Sequence, residues 1–161
     1  MIGGVRLAGK TFTEYKEIIL YRLIEDENLL KALTINDEDF INKSLLIDPS
    51  DIPYKYIYPY KISSNILDTA KSIITIKFAN FESLGVNYKS GRIYFYIICH
   101  TSLIRTSYGN RYDYIFERIK AIFNNSREFG IGKTILESVG DLEVNENYYG
   151  CVCCFEVTDF S

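Results

Sequence analysis

The residues that could do chemistry begin at Gly4-Val5-Arg6-Leu7-Ala8-Gly9-Lys10-Thr11, which has the Gly-x4-Gly-Lys-Thr spacing of a phosphate-cradling loop. In such a loop the glycine backbone donors hold phosphate, the lysine meets the terminal phosphates and the hydroxyl holds magnesium. Leu45-Leu46-Ile47-Asp48 would supply an apolar run ending in a magnesium-binding acid. That chemistry needs a strand to deliver the loop, and only Met1, Ile2 and Gly3 stand before it. The chain beyond it reads as an antiparallel hairpin where a parallel βαβ series is required. Residues 1–10 are therefore expected to be a flexible tail, and nucleotide binding is the weaker alternative. A near-match at Gly130-Ile131-Gly132-Lys133-Thr134 has Arg127 in place of the first glycine and enters a strand, so it is set aside.

Cys99, His100, Cys151, Cys153 and Cys154 can be assembled on paper into a thiolate metal site. Strand alternation separates Cys154 from Cys151 and Cys153, and His100 from Cys99, and the two chelating turns of a structural zinc site are missing. Small buried core residues in the reduced state are the expected role of these cysteines. The same divergence of neighbouring side chains prevents Cys99 and His100 from acting as nucleophile and base. The acidic run Asp37-Glu38-Asp39 is read as a solvated helix start. No catalytic residue, cofactor or metal is expected.

Behind these residues stand 161 amino acids, 47% of them hydrophobic and 24% charged, enough for one domain with its own core. The net charge of −3 and the lack of a basic run argue against a dedicated nucleic-acid binder. No stretch has the run of apolar residues that crosses a bilayer, and Met1 to Lys10 lacks a signal-like apolar region, so a cytosolic product without membrane contact is expected. Tyrosine is abundant at 14 and tryptophan absent, a bias that suits strands and subunit interfaces.

The elements follow from periodicity. Thr11 and Glu14 fit a capping box ahead of a helix over about Phe12–Glu25, with Tyr15, Ile18, Ile19 and Leu23 as its stripe. One or two short helices are expected within Asp26–Ile47, for instance from Asp37 to Leu46. All three prolines fall between Asp48 and Tyr60, which makes 48–62 a Pro/Tyr-rich extended arm that either docks a partner or straps over the domain's own core. Lys71–Phe81 and Arg92–His100 alternate as two strands of a long hairpin around a polar reversal. Asn110 precedes a second helix with Tyr112, Ile115, Phe116, Ile119, Ile122 and Phe123 inward and Arg111, Asp113, Glu117 and Lys120 mostly outward. Lys133–Val139 and Tyr148–Thr158 read as two closing strands around a turn over Asp141–Asn147. The result is a single α+β domain over 1–161, an antiparallel or mixed sheet of about four strands with two main helices packed on it.

The order of Tyr58-Pro59-Tyr60-Lys61, Ile98-Cys99-His100, Gly109-Asn110-Arg111-Tyr112-Asp113-Tyr114-Ile115, Phe129-Gly130-Ile131-Gly132-Lys133 and Thr158-Asp159-Phe160 resembles the neck proteins of tailed phages and phage-tail-like particles of Gram-positive bacteria. Within them it is most similar to the tail terminator and tail-completion, or head-tail joining, group. The similarity runs from about Tyr54 to the C-terminus and leaves the region before Ile47 aside. It implies a non-enzymatic virion structural protein of the tail neck, assembled in the bacterial cytoplasm. Its partners would be five further copies of itself in a hexameric ring, the tail tube protein and the head-tail connector or adaptor, with genomic DNA passing the lumen without sequence-specific binding. A head-tail adaptor or stopper is the neighbouring alternative. The expected interface residues are Tyr54, Tyr56, Tyr58 and Tyr60 of the arm, Asn87, Tyr88 and Lys89 of the reversal, and Tyr148 and Tyr149.

Overall fold

In the computed structural model, which describes residues 6–7, 10–63, 67, 69–83, 89–127 and 133–159, Thr11 opens the first helix as its spacing requires. Its Oγ1 accepts from the Glu14 N–H at 3.2 Å and lies 3.3 Å from the Glu14 carboxylate. Helix α1 (Phe12–Ile24) buries Tyr15, Ile19, Leu20 and Leu23. The tail segment ahead of it is described only in part: strands β1 (Arg6–Leu7) and β2 (Lys10–Thr11) pair antiparallel.

A short helix stands within Asp26–Ile47 as expected, but ahead of the Asp37–Leu46 segment named for it. Helix α2 spans Glu27–Thr34, and its N-cap Asp26 accepts from the Leu29 N–H at 2.9 Å. The Asp37–Leu46 segment is no α-helix; it holds one 3-10 turn at Phe40–Asn42. The reason lies in its short polar side chains: Asp37 takes the Asp39 N–H at 2.9 Å, and Asp39 takes the Asn42 amide at 2.9 Å. Such local bonds offer the backbone an alternative to the helix.

Strands β3 (Ile57–Tyr58), β4 (Ser72–Ser83), β5 (Lys89–His100), β8 (Thr134–Glu143) and β9 (Tyr148–Asp159) make one sheet in the order β3-β4-β5-β9-β8. A separate small ladder joins β6 (Arg105–Thr106) to β7 (Gly109–Asn110). Among the described strands of this sheet, β3 alone runs parallel to its neighbour; it is the strand beyond the four expected, supplied by the Pro/Tyr segment. The hairpin register places Ile74 opposite Ile97, Ile76 opposite Phe95 and Phe78 opposite Ile93, the alternating face read from the sequence. Both closing strands are longer than expected, and the turn between them contracts to residues 144–147.

Helix α3 (Arg111–Phe123) lies with α1 and α2 on one face of the sheet, over Ile97, Phe95, Cys151, Cys153 and Phe155. Asn110 occupies its N-cap position, but the Asn110 amide donates to Asp113 at 3.2 Å instead of closing the cap itself. Arg111 was expected outside and is fully buried. Its Nε donates to Leu103 O at 2.7 Å, Nη1 to Ala32 O and Ile35 O at 2.8 Å each, and Nη2 to Asp37 O at 3.2 Å. The guanidinium also lies 5.1 Å from the Phe40 ring centroid. One side chain thereby closes the carbonyl end of α2 and roots α3 against it, a favourable match of cation to helix C-terminus.

The opposite face of the sheet is covered over only part of its length. Tyr58, Ile73, Ile98 and Tyr148 form a second, smaller core, with Ile62, Leu67, Tyr96 and Leu142 packed at its margin. The rest of that face stays accessible, and α+β architecture with helices on one side is the class this chain defines.

Candidate assembly surface

Of the nucleotide-loop pattern, the described residues are Arg6–Leu7 and Lys10–Thr11, which form two paired strands. Lys10 and Thr11 lie in β2, and the Thr11 hydroxyl caps α1, whereas the phosphate-binding chemistry needs that threonine on the helix following a strand and loop. Gly4 and Gly9 lie outside the described residues.

The four cysteines are free and buried. Cys99, Cys151 and Cys153 sit in the main core, and Cys154 points to the other face, where its Sγ is 3.8 Å from a Glu137 carboxylate oxygen. Burial raises the Cys99 thiol to about 11 and the Cys153 thiol to about 12, and pushes Cys151 upward as well. Thiols so protonated are poor nucleophiles and poor metal ligands at neutral pH. His100 has its Nδ1 committed locally, accepting the Ser102 N–H at 3.2 Å and lying 2.8 Å from the Ser102 hydroxyl. Among the described residues no three His, Cys, Asp or Glu side chains converge on a metal position.

Of the acidic run, Asp39 is bound by the Tyr108 hydroxyl and the Asn42 amide, and those bonds lower its pKa in that order of importance. It serves the turn that carries Phe40 under Arg111, not a pair of catalytic carboxylates.

The nine expected interface residues part company. Tyr58 is a core residue: its backbone pairs with Thr75 and its hydroxyl donates to Lys55 O at 3.2 Å. Tyr56 is half-buried beneath Lys71, whose Nζ is 4.7 Å from the ring centroid. Of the arm's four tyrosines, Tyr54 and Tyr60 remain open, 59% and 51% exposed, with ring centroids 6.4 Å apart. The segment 48–62 is thus no free arm; a 3-10 turn at Pro49–Asp51, the buried Ile52 and strand β3 strap it onto the domain. Tyr148 is buried against His100, at 5.2 Å between rings, and Tyr149 is half-buried beside Tyr112. Asn87 and Tyr88 lie outside the described residues, as does the side chain of Lys89, although its backbone belongs to β5.

Three surface features were missed. Tyr21, on the outer side of α1 and 66% exposed, shares a hollow of about 360 Å³ with Leu20, Ile24, Pro53 and Tyr54. Its place off the helical stripe was the signal that would have found it. On the accessible sheet face Tyr94 and Tyr96 stack at 6.2 Å, and Arg92 grips Glu137 through two bonds of 2.8 and 3.2 Å. The third is β8, a ten-residue edge strand that exposes Ile135 and Val139.

These features describe an α+β domain built on a five-stranded sheet, whose accessible side chains and edges among the described residues are aromatic rings, strand edges and paired charges. Residues 26–157 match the family model YomW, and the chain belongs to the YomW family. The family name is of Bacillus-phage type, consistent with a phage-derived protein. No curated protein matches the chain.

Proposed function

We propose that this chain is a virion structural subunit that assembles as a homohexameric ring, ends the phage tail tube and joins it to the head connector. The observation that carries the reading is the architecture of the sheet: helices cover one face, while β8 at one end and most of β4 at the other have no strand beyond them among the described residues. A subunit with two different open edges suits a head-to-tail contact, which closes into a ring when the rotation permits. Membership of a family with a phage-type name and the ordered motifs from Tyr54 onward support the same reading.

The mechanism is geometric and needs no catalysis or cofactor. One ring face copies the surface a tube subunit presents, the other offers no site for a further tube ring, and growth stops. The upper face then docks the connector, at the tail neck, after assembly in the host cytoplasm. A hexamer of chains at −3 carries about −18, which avoids general attraction to DNA crossing the lumen.

Deleting the gene from its parent phage or tail element and imaging the particles by negative-stain electron microscopy tests this. Overlong, irregular tubes are expected. Normal-length tails lying apart from filled heads would instead assign an adaptor or stopper role, and intact particles of normal shape would remove the virion reading.

A further inference from the structure

The two open edges of the sheet differ in charge on both faces, and the difference is complementary. On β8, Asp141 and Glu143 pair with Cys151 and Tyr149 and so share the helix-covered face, while Glu137 meets Arg92 on the accessible face. All three acids are exposed. At the opposite edge, Lys77 rises from β4 on the accessible face, with Nζ 5.8 Å from the Tyr94 centroid. On the helix-covered face Lys16 of α1 reaches over Phe78, 5.2 Å from its centroid.

The apolar groups match in the same sense. Val139, 49% exposed, stands on the helix-covered face of β8, opposite Cys153. The β4 edge offers on that face the rings of Phe12, Phe78 and Phe81, mutually 5.1 to 5.5 Å apart and only partly buried. Strand β3 pairs with β4 only at Ile74 and Thr75, so among the described residues Ile76–Ala79 have no strand beside them on that side.

We infer that the occupant of the β8 edge is a second copy of this chain, joined through Ile76–Ala79 of its β4. This rests on the ring reading and says which surfaces make the ring. Continuing the order β4-β5-β9-β8 by another β4 keeps the alternation antiparallel and the helices of all copies on one side. Val139 then packs on the neighbouring copy's phenylalanine cluster, Asp141 and Glu143 face its Lys16, and Glu137 faces its Lys77. Pairing of β8 with another β8 is disfavoured, because it gathers the four carboxylates of two Asp141 and two Glu143 along one seam where like charges repel. The bulge between Leu136 and Ser138 and these same acids blunt β8 against unselective strand addition, so that a basic edge is selected.

The test uses two charge-reversed full-length proteins, Asp141→Lys with Glu143→Lys on β8, and Lys16→Glu with Lys77→Glu on the β4 side. Sedimentation velocity and native mass spectrometry read the association, and circular dichroism checks that each protein is folded. The wild-type chain should associate, each reversed protein alone should associate at least about tenfold more weakly, and an equimolar mixture should recover assemblies in which the two alternate. Recovery on mixing is the signature of a head-to-tail contact between unlike edges. A wild-type chain that stays monomeric at every concentration, reversed proteins that assemble like wild type, or a mixture that fails to recover would each overturn the assignment. Reversed proteins that still form rings would sink the edge assignment and leave the ring reading standing. Alternating assembly together with normal particles after gene deletion would do the opposite.

Discussion

Arg111 and Ala32, 79 positions apart in sequence, are joined by a 2.8 Å hydrogen bond from guanidinium Nη1 to a main-chain carbonyl inside the core. The same side chain bonds Ile35 O, Asp37 O and Leu103 O, so the end of α2, the turn after it and the loop before α3 share one donor group. Its desolvation lowers the guanidinium pKa, the cost of holding a cation there, which the four carbonyls and the Phe40 ring offset. Arg111→Ala should therefore lose about 3 kcal/mol or more, because it orphans buried carbonyls as well as removing contacts. Arg111→Lys should recover only part of this, since an ammonium lacks the planar fork that reaches several acceptors at once. Urea unfolding of both variants decides it, and an Arg111→Ala protein as stable as wild type would refute the account.

Gly150 and Gly140 provide a matched pair within the closing hairpin. A Cβ on Gly150 would lie 1.7 Å from the Ile97 carbonyl oxygen, an overlap that only a movement of β5 against β9 can relieve. A Cβ on Gly140 meets nothing within 4 Å. Gly150→Ala should cost about 2 to 4 kcal/mol or leave the protein insoluble, the range reached by overpacking and broken ladders. Gly140→Ala should be neutral or stabilise by a few tenths of a kcal/mol through reduced unfolded-state entropy. Equal effects at the two sites would contradict the geometry.

The hairpin was legible in the sequence because period-two alternation is local: Ile74, Ile76, Phe78 and Ile93, Phe95, Ile97 announce their shared face without reference to the rest of the chain. The burial of the cysteines followed from the same rule. Arg111 could not be read, because the carbonyls that satisfy it converge from segments remote in sequence. Tyr58 was misjudged for a similar reason. Its parallel pairing with Thr75 is a non-local event, and an extended Pro/Tyr segment looks the same whether it straps the core or reaches for a partner. The Asp37–Leu46 segment failed through side-chain competition, since Asp37 and Asp39 prefer the local turn bonds they make.

Alkaline pH should destabilise the fold through the buried thiols. The folded state holds the Cys99 proton to about 11 and the Cys153 proton to about 12, above the ordinary value of an exposed thiol. Between the unfolded and folded values the unfolded chain binds fewer protons, so stability declines as pH rises through that window and is unaffected well below it. The decline should approach about 1.4 kcal/mol per pH unit for each such thiol, and Cys99→Ala should reduce the slope. Urea midpoints between pH 7 and pH 11, with Ellman's reagent reporting thiol exposure, provide the measurement. Rapid labelling of all four thiols in the folded protein at pH 8 would show that the cores are not closed.

Asp26 holds two tasks that substitution can separate. One carboxylate oxygen takes the Leu29 N–H at 2.9 Å as the N-cap of α2, and the group also binds Arg118 Nε and Nη2 of α3. Asp26→Asn retains an acceptor for the cap and loses the ion pair, whereas Asp26→Ala loses both. The first should cost about 1 kcal/mol or less, since Arg118 is partly exposed, and the second about 1 kcal/mol more. A double-mutant cycle with Arg118→Met isolates the pair, and a coupling near zero would show that Asp26 serves the cap alone.

Tyr54 stands at φ 66, in the left-handed region that a bulky side chain occupies at a cost, and its ring is exposed. Asn80 and Asn125, the other described non-glycine residues at positive φ, are of the type that tolerates it; tyrosine is not. A strained, exposed aromatic beside Tyr60 and across a hollow from Tyr21 is stability given up for a surface. Tyr54→Gly should thus keep or raise stability, by up to about 1 kcal/mol, while Tyr58→Ala in the second core should lower it by about 3 kcal/mol. If the ring is retained for docking, Tyr54→Gly should at the same time fail to complement the gene deletion, giving the same abnormal particles as the null phage. A Tyr54→Gly protein that is stable and restores normal particles would show that this tyrosine serves no assembly contact.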